Sequence, residues 1–179
     1  MLCFQRLYST TPLRLDVFLK QAKETTSNHY RGTLFELQTL HALESTAKMQ
    51  LVHVGGKSDG GVDLRGQWLC HHVIVQCKNV KEGCSPEHLR GLMGTASLFG
   101  TRKKMISILA TRGSGTYTPD VLSHFNTSPL PLGLAGVNDI TLTSLMFNKA
   151  AQSLLKNRVN ISTVFDTLGN ESLHIDLLE

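Results

Sequence analysis

The chain predicts a mixed α/β sandwich, and three observations lead to that fold class. Helical spacing of apolar residues over 33–46 is followed by three short strand-like runs within residues 49–79. A second helix with a clean start and stop covers 86–100, and an almost wholly apolar run, 105–110, comes next. Three consecutive strands make a meander, whereas a helical crossover adds its strand in parallel. The product is a mixed sheet covered by helices.

Taken in order, residues 13–24 predict a short helix with Val17, Phe18 and Ala22 on its apolar side. Asn28-His29-Tyr30-Arg31-Gly32 predicts a turn. Over 33–46, Leu34, Leu37, Leu40 and Leu43 recur at threes, with Phe35 and Ala42 widening the stripe. Residues 49–54, 62–68 and 71–79 predict strands, the first two joined by the glycine-rich stretch 55–61. Ser85-Pro86-Glu87 has a capping hydroxyl, a proline at the first helical position and an acid that complements the helix dipole. Leu89, Leu92, Met93, Ala96 and Phe99 follow at helical spacing up to Gly100. Beyond the buried strand at 105–110 the expectations are a short helix at 119–125, a strand at 130–137 and a helix at 142–156. Residues 159–179 form a weakly signalled tail. The domain division expected is a leader and extension at 1–28, a folded domain at 29–158 and the tail.

At 179 residues the chain fits one domain with a sizeable core. Its 41% hydrophobic and 18% charged residues exclude a disordered chain, and no apolar run reaches the roughly 20 residues of a membrane helix. A net charge of +4 tolerates a polyanionic partner without demanding one. Cys3, Cys70, Cys77 and Cys84 contain no Cys-x-x-Cys pair, which argues against structural zinc and for a reducing compartment. The first fifteen residues carry Arg6 and Arg14, several hydroxyls and no acid, the composition of a mitochondrial transit peptide. Arg6-Leu7-Tyr8-Ser9 resembles the cleavage pattern of matrix-targeted precursors, so the mitochondrial matrix is the expected location.

The chemistry concentrates in two segments, Asp59-Gly60-Gly61-Val62-Asp63-Leu64 and Val73-Ile74-Val75-Gln76-Cys77-Lys78-Asn79. Side chains two apart on a strand share a face, so Gln76 and Lys78 point the same way, and Asp63 sits beside them if the strands pair. Phosphodiester hydrolysis needs a divalent metal on oxygen ligands and a cation that offsets developing charge. Asp63 offers a hard carboxylate, Gln76 an amide oxygen and Cys77 its main-chain carbonyl. Lys78 offers the cation. Glu36 shares part of the buried stripe of its helix, where it either reaches out to water or completes the metal set, directly or through water.

These residues resemble the Mrr-like branch of the PD-(D/E)XK nuclease superfamily. The matching motifs are Gly32-Thr33-Leu34-Phe35-Glu36, Gly56-Lys57-Ser58-Asp59-Gly60-Gly61-Val62-Asp63-Leu64 and Val75-Gln76-Cys77-Lys78, with resemblance over roughly residues 29–125. With its leader the chain is also similar to the fungal mitochondrial respiratory-growth family, required for respiratory growth protein seven. The resemblance implies a restriction-endonuclease-like sandwich with an αβββαβ core and a Mg²⁺-dependent DNA endonuclease, Mn²⁺ being the natural substitute. By it Asp63, Gln76, Lys78 and Glu36 are catalytic, and Asp59 supports the loop or the second layer around the metal. Gln76 departs from the superfamily's usual acid, and there is no room for a separate DNA-reading domain.

The implied partner is DNA; RNA stays open, and a homodimer is compatible with a double-strand cutter. A nuclease-fold binding factor with little turnover is the rival expectation. Arg90, Arg102, Lys103, Lys104 and Arg112 are candidate phosphate contacts, a solvated basic face being the alternative. His71-His72 begins a strand with its side chains on opposite faces, as edge or turn residues. Gly91 and Gly94 predict close approach of their helix to the sheet or to a nucleic-acid backbone.

Overall fold

The computed structural model describes residues 14–21, 24–54, 60–80, 83–99, 105–113 and 117–178. Its elements are α1 (Leu15–Gln21), α2 (Asn28–Ala47), β1 (Gln50–His53), β2 (Leu64–Trp68), β3 (His71–Lys78), α3 (Pro86–Leu98) and β4 (Met105–Arg112). They continue as α4 (Pro119–Thr127), β5 (Leu132–Asn138), β6 (Thr141–Phe147), α5 (Lys149–Leu155), β7 (Val159–Phe165) and β8 (Glu171–Leu177). The residues of the expected leader before Arg14 lie outside the described ones.

Strands β1 to β6 form one sheet in chain order, and β7–β8 a separate hairpin. β1, β2 and β3 pair antiparallel as the expected meander. β3–β4 and β4–β5 are parallel, and β6 closes the sheet antiparallel to β5. The parallel additions follow from the helical crossovers α3 and α4. The sheet separates two cores. On one face Phe35, Leu37 and Leu43 of α2 and Ala151 and Leu155 of α5 pack on Val73, Val75 and Ile108. On the other, Leu89 and Leu92 of α3 and Val121 and Phe125 of α4 pack on Ile74, Leu109 and Leu134. The result is a mixed α/β protein with a central six-stranded sheet flanked by helices.

Two contacts fix α2 over the meander. Ser27 caps the helix by accepting the Tyr30 N–H at 3.2 Å, so 28–32 is helical rather than a turn. At the other end the buried Trp68 indole donates to the Ala47 carbonyl at 2.7 Å. Helix α2 therefore starts five residues earlier than its leucine spacing indicates.

The largest correction concerns 142–156, which is not one helix but strand β6 followed by α5. Leu142 and Leu145, three apart, lie on one face because β6 carries an extra residue. Gly136 pairs with Ser144 while Val137 pairs with Leu142, and Thr143 between them is bulged out. A bulge turns the strand period of two into a spacing of three, which imitates a helix. The weakly signalled tail is also ordered: β7 and β8 pair throughout, and Val159, Ile161, Leu173, Ile175 and Leu177 pack on the first core. Two smaller expectations fail. β3 lies between β2 and β4, so His71 and His72 belong to a central strand rather than an edge. A Cβ built on Gly91 or Gly94 meets nothing within 4 Å, so neither glycine serves close approach to the sheet. Among the described residues, no helix is long and apolar enough to cross a membrane.

Candidate active site

The site forms where the meander opens. β2 begins at Leu64, opposite Val75, and the Asp63 N–H still donates to the Val75 carbonyl at 2.9 Å. The next N–H of β3 on that side belongs to Cys77. Its partner is the Asp63 carboxylate, Oδ2 at 2.6 Å, in place of a strand carbonyl. The carboxylate is thus held in the opening between the strands by a main-chain donor. In a strand the N–H and C=O of one residue face the same neighbour. The Cys77 carbonyl therefore opens on the same gap as Asp63.

Gln76 and Lys78 lie on the α3 face of β3, in register with Ile74 of the second core. Gln76 is buried, and its Oε1 has no hydrogen-bond partner among the described residues. Its Nε2 lies against Gly61: a Cβ there would sit 2.4 Å away, and Gly61 has a φ of +83°. Only glycine satisfies both conditions, so the glycine-rich turn lets the amide lie flat beneath the loop. Lys78 is half-buried and close enough to act on the charges of Asp63 and His88.

Glu36 reaches the site from α2, on the opposite face. Its Oε2 accepts from His53 Nε2 at 2.6 Å, with the two side chains 20% and 9% exposed. Glu36 therefore does not simply extend into water. His53 is the residue that sequence reasoning missed. It is the last residue of β1, and β1 pairs with β2 so that the Val54 N–H donates to the Asp63 carbonyl at 2.9 Å. The usable signal was its place immediately before the glycine-rich stretch that leads to Asp63.

The electrostatics follow from this layout. Burial pushes the Asp63 carboxyl up from 3.8 to about 6. Glu36 pushes in the same direction, while the Cys77 N–H, Lys78 and His53 act in the opposite one. The Cys77 thiol, packed toward Thr39 on the α2 side, is raised well above its ordinary value, mainly by burial and then by Asp63. It stays a neutral core group.

The donor set can be tested against a divalent cation. Among the described residues, no group of three or more His, Cys, Asp or Glu side chains is placed to hold a metal ion. An oxygen-rich set is present instead: the Asp63 carboxylate, the unpartnered Gln76 Oε1 and the Cys77 carbonyl, with Glu36 behind them. A buried acceptor without a donor among the described residues and a carboxyl that burial makes reluctant to ionise are each groups that a cation satisfies. In type, these oxygen donors are the ones that a hard cation such as Mg²⁺ takes.

The candidate phosphate contacts divide. Arg90 is exposed on α3 and pairs with Glu87 at 2.6 Å. Arg112, at the end of β4, donates from Nε to Asn79 Oδ1 at 3.1 Å and lies over the Phe35 ring at 5.5 Å. Asn79 in turn donates to the Arg31 carbonyl, so this chain of contacts ties α2 to the ends of β3 and β4. Arg102, Lys103, Lys104 and Asp59 lie outside the described residues.

A family model described as Required for respiratory growth protein 7 matches residues 27–73 and 69–173. The chain is 36% identical over 137 residues to an uncharacterized mitochondrial protein of Schizosaccharomyces pombe, covering 72% of this chain and 53% of that protein. It is 38% identical over 65 residues to the mitochondrial Required for respiratory growth protein 7 of Zygosaccharomyces rouxii, covering 35% of this chain and 27% of that protein. The chain thus spans about half the length, or less, of the curated relatives it matches. No solved structure matches it significantly. Both relatives are named as mitochondrial. The chain is accordingly a mitochondrial protein and belongs to the Required for respiratory growth protein 7 family.

Proposed function

We propose that the protein is a metal-dependent deoxyribonuclease of the mitochondrial matrix, built on a restriction-endonuclease-like sandwich. Its activity would maintain the mitochondrial genome on which respiratory growth depends. The observation that carries this reading is the buried Gln76 Oε1, without a hydrogen-bond partner among the described residues, on the strand face of Lys78, while the N–H of the next residue, Cys77, holds the Asp63 carboxylate. The resemblance to the Mrr-like nucleases points the same way.

Asp63, Gln76 Oε1 and the Cys77 carbonyl would hold Mg²⁺, with Glu36 reaching it through water. When bound, the ion supplies polarisation of a phosphate and a lowered pKa for its water. Lys78 places an ammonium where charge grows on the attacked phosphate and orients the attacking water. The Cys77 N–H keeps Asp63 directed into the gap. Gly61 keeps the amide side chain folded beneath the loop.

Cleavage of DNA with Mg²⁺ or Mn²⁺ tests the reading. Asp63→Ala and Lys78→Ala should each lower the rate about 100- to 1,000-fold, the usual loss when one electrostatic group is removed. Equal cleavage by the wild type and both variants would refute it. A second reading is favoured because no group of three or more His, Cys, Asp or Glu side chains among the described residues is placed to hold a metal: a nucleic-acid-binding maintenance factor with little turnover. It predicts metal-independent DNA binding that weakens steeply with salt, and an RNA arm in the same assay shows which nucleic acid is preferred.

A further inference from the structure

We propose that His53 is a positioning residue that holds Glu36 in the site, leaving one carboxylate oxygen free to serve the cation's water shell; this rests on the metal-site reading above. The geometry is specific. A carboxylate only accepts hydrogen bonds, so in the 2.6 Å contact the His53 Nε2–H donates to Glu36 Oε2. The bond joins the covering helix to the last residue of β1, seventeen positions apart in sequence. The imidazole is 9% exposed, so the core fixes its orientation, and the bond transmits that orientation to Glu36. The other oxygen, Oε1, lies on the side of Gly32, where a built Cβ would come only to 4.0 Å. Gly32 itself thus puts no side chain against Oε1.

Without His53, a glutamate on the flank of a helical stripe can swing to solvent, the cheaper position for a charge. His53 removes that freedom. Outer hydrogen-bond partners of this kind typically change metal affinity or activity about 10- to 100-fold.

The test is Mn²⁺ affinity of the full chain, read by electron paramagnetic resonance of the free ion, with cleavage measured separately. His53→Ala should weaken Mn²⁺ binding about 10- to 100-fold. It should raise the Mg²⁺ concentration for half-maximal cleavage more than it lowers the rate at saturating Mg²⁺. His53→Gln, which offers an amide N–H at similar reach, should restore most of the affinity. In a Glu36→Ala background, His53→Ala should cause no further loss. The proposal falls if Glu36→Ala weakens Mn²⁺ binding and His53→Ala does not, or if the two losses multiply. It also falls if His53→Gln keeps the wild-type melting temperature yet fails to rescue. Mn²⁺ binding with no cleavage by the wild type would refute the nuclease reading alone and leave His53 judged by affinity. No Mn²⁺ binding by the wild type would overturn both.

Discussion

Two buried side-chain amides, Asn148 at the start of α5 and Gln76 on β3, differ in one respect. Asn148, 1% exposed, has every polar atom engaged. Its Oδ1 accepts from the N–H groups of Leu132 and Ala151, and its Nδ2 faces the carbonyls of Phe125, Ser128 and Leu130. Gln76, 7% exposed, keeps an acceptor without a donor among the described residues. The first amide is finished by the main chain around it and acts as a rivet between α4, β5 and α5. The second is unfinished, which a protein retains at a cost that only a ligand or an ordered water offsets. Burial of a polar group is therefore weak as a sign of function. Gln38 and Thr39 also bury an oxygen without a partner among the described residues, so leftover capacity points to a site at Gln76 only because the neighbouring Cys77 N–H holds the Asp63 carboxylate.

The largest effect separating the two amides should come from Asn148→Ala. It removes the cap of α5 and strands the Leu132 N–H together with three carbonyls, which should cost about 3 kcal/mol of folding stability. Urea denaturation checks this, the midpoint falling while the slope stays constant. Asn148→Asp should do no better, because it keeps the acceptor but replaces the donor facing those carbonyls. A loss under about 0.5 kcal/mol in either variant would mean that the rivet is not structural.

The same contrast explains what was legible in the sequence. The meander, the crossover and the shared face of Gln76 and Lys78 could be read because each rests on local rules. A strand period of two puts Gln76 and Lys78 on one face, and Ser85-Pro86 announces a helix start that the structure shows at Pro86. What escaped depends on pairing between distant segments. The bulge at Thr143 changes the apolar spacing of β6 and so hides a strand inside a helical pattern. His53 gains its importance only when β1 lies beside β2 and α2 covers both. Asn148 looks like any helix-capping asparagine until the turn at 128–131 closes around it. The β7–β8 hairpin alternates apolar and polar residues only weakly, and it forms against a core built from earlier parts of the chain.

A middle-sized effect is expected at Asp63, through pH. Its carboxyl is raised from 3.8 to about 6 in the folded, metal-free protein. Below pH 4 both folded and unfolded forms hold the proton, and the group costs nothing. Between pH 4 and 6 the unfolded chain ionises while the folded one retains its proton, so stability falls as pH rises. Above pH 6 the penalty is constant, about 1–2 kcal/mol after a discount for partial solvent exposure. Asp63→Asn keeps an oxygen for the Cys77 N–H and carries no charge. Without metal it should match the wild type near pH 4 and exceed it near pH 7 by that amount. Thermal melts across the range, in chelator and then in excess Mg²⁺, check the sign. Mg²⁺ should raise the wild type at pH 7 and leave Asp63→Asn nearly unchanged. A wild type that gains stability between pH 4 and 6, after subtraction of the variant's own profile, would contradict the placement of this carboxyl.

The smallest effect on stability is expected where the amide is unfinished. Gln76→Leu replaces a poorly satisfied polar group by an apolar one of similar volume, next to Ile74 and the second core. Such exchanges are nearly neutral or slightly stabilising, so the change should stay within about 1 kcal/mol of the wild type. The same variant should bind Mn²⁺ more weakly, because it lacks the oxygen proposed as a ligand. Stability kept while affinity is lost is the opposite of the pattern expected at Asn148, where folding suffers and the metal site is untouched. If Gln76→Leu instead costs about 3 kcal/mol, as Asn148→Ala should, the amide is a second rivet. The case for a metal would then rest on Asp63, the Cys77 carbonyl and Glu36. If stability and affinity both stay unchanged, Gln76 Oε1 is satisfied by an ordinary buried water, and the cation, if bound, takes its oxygens from Asp63 and the Cys77 carbonyl.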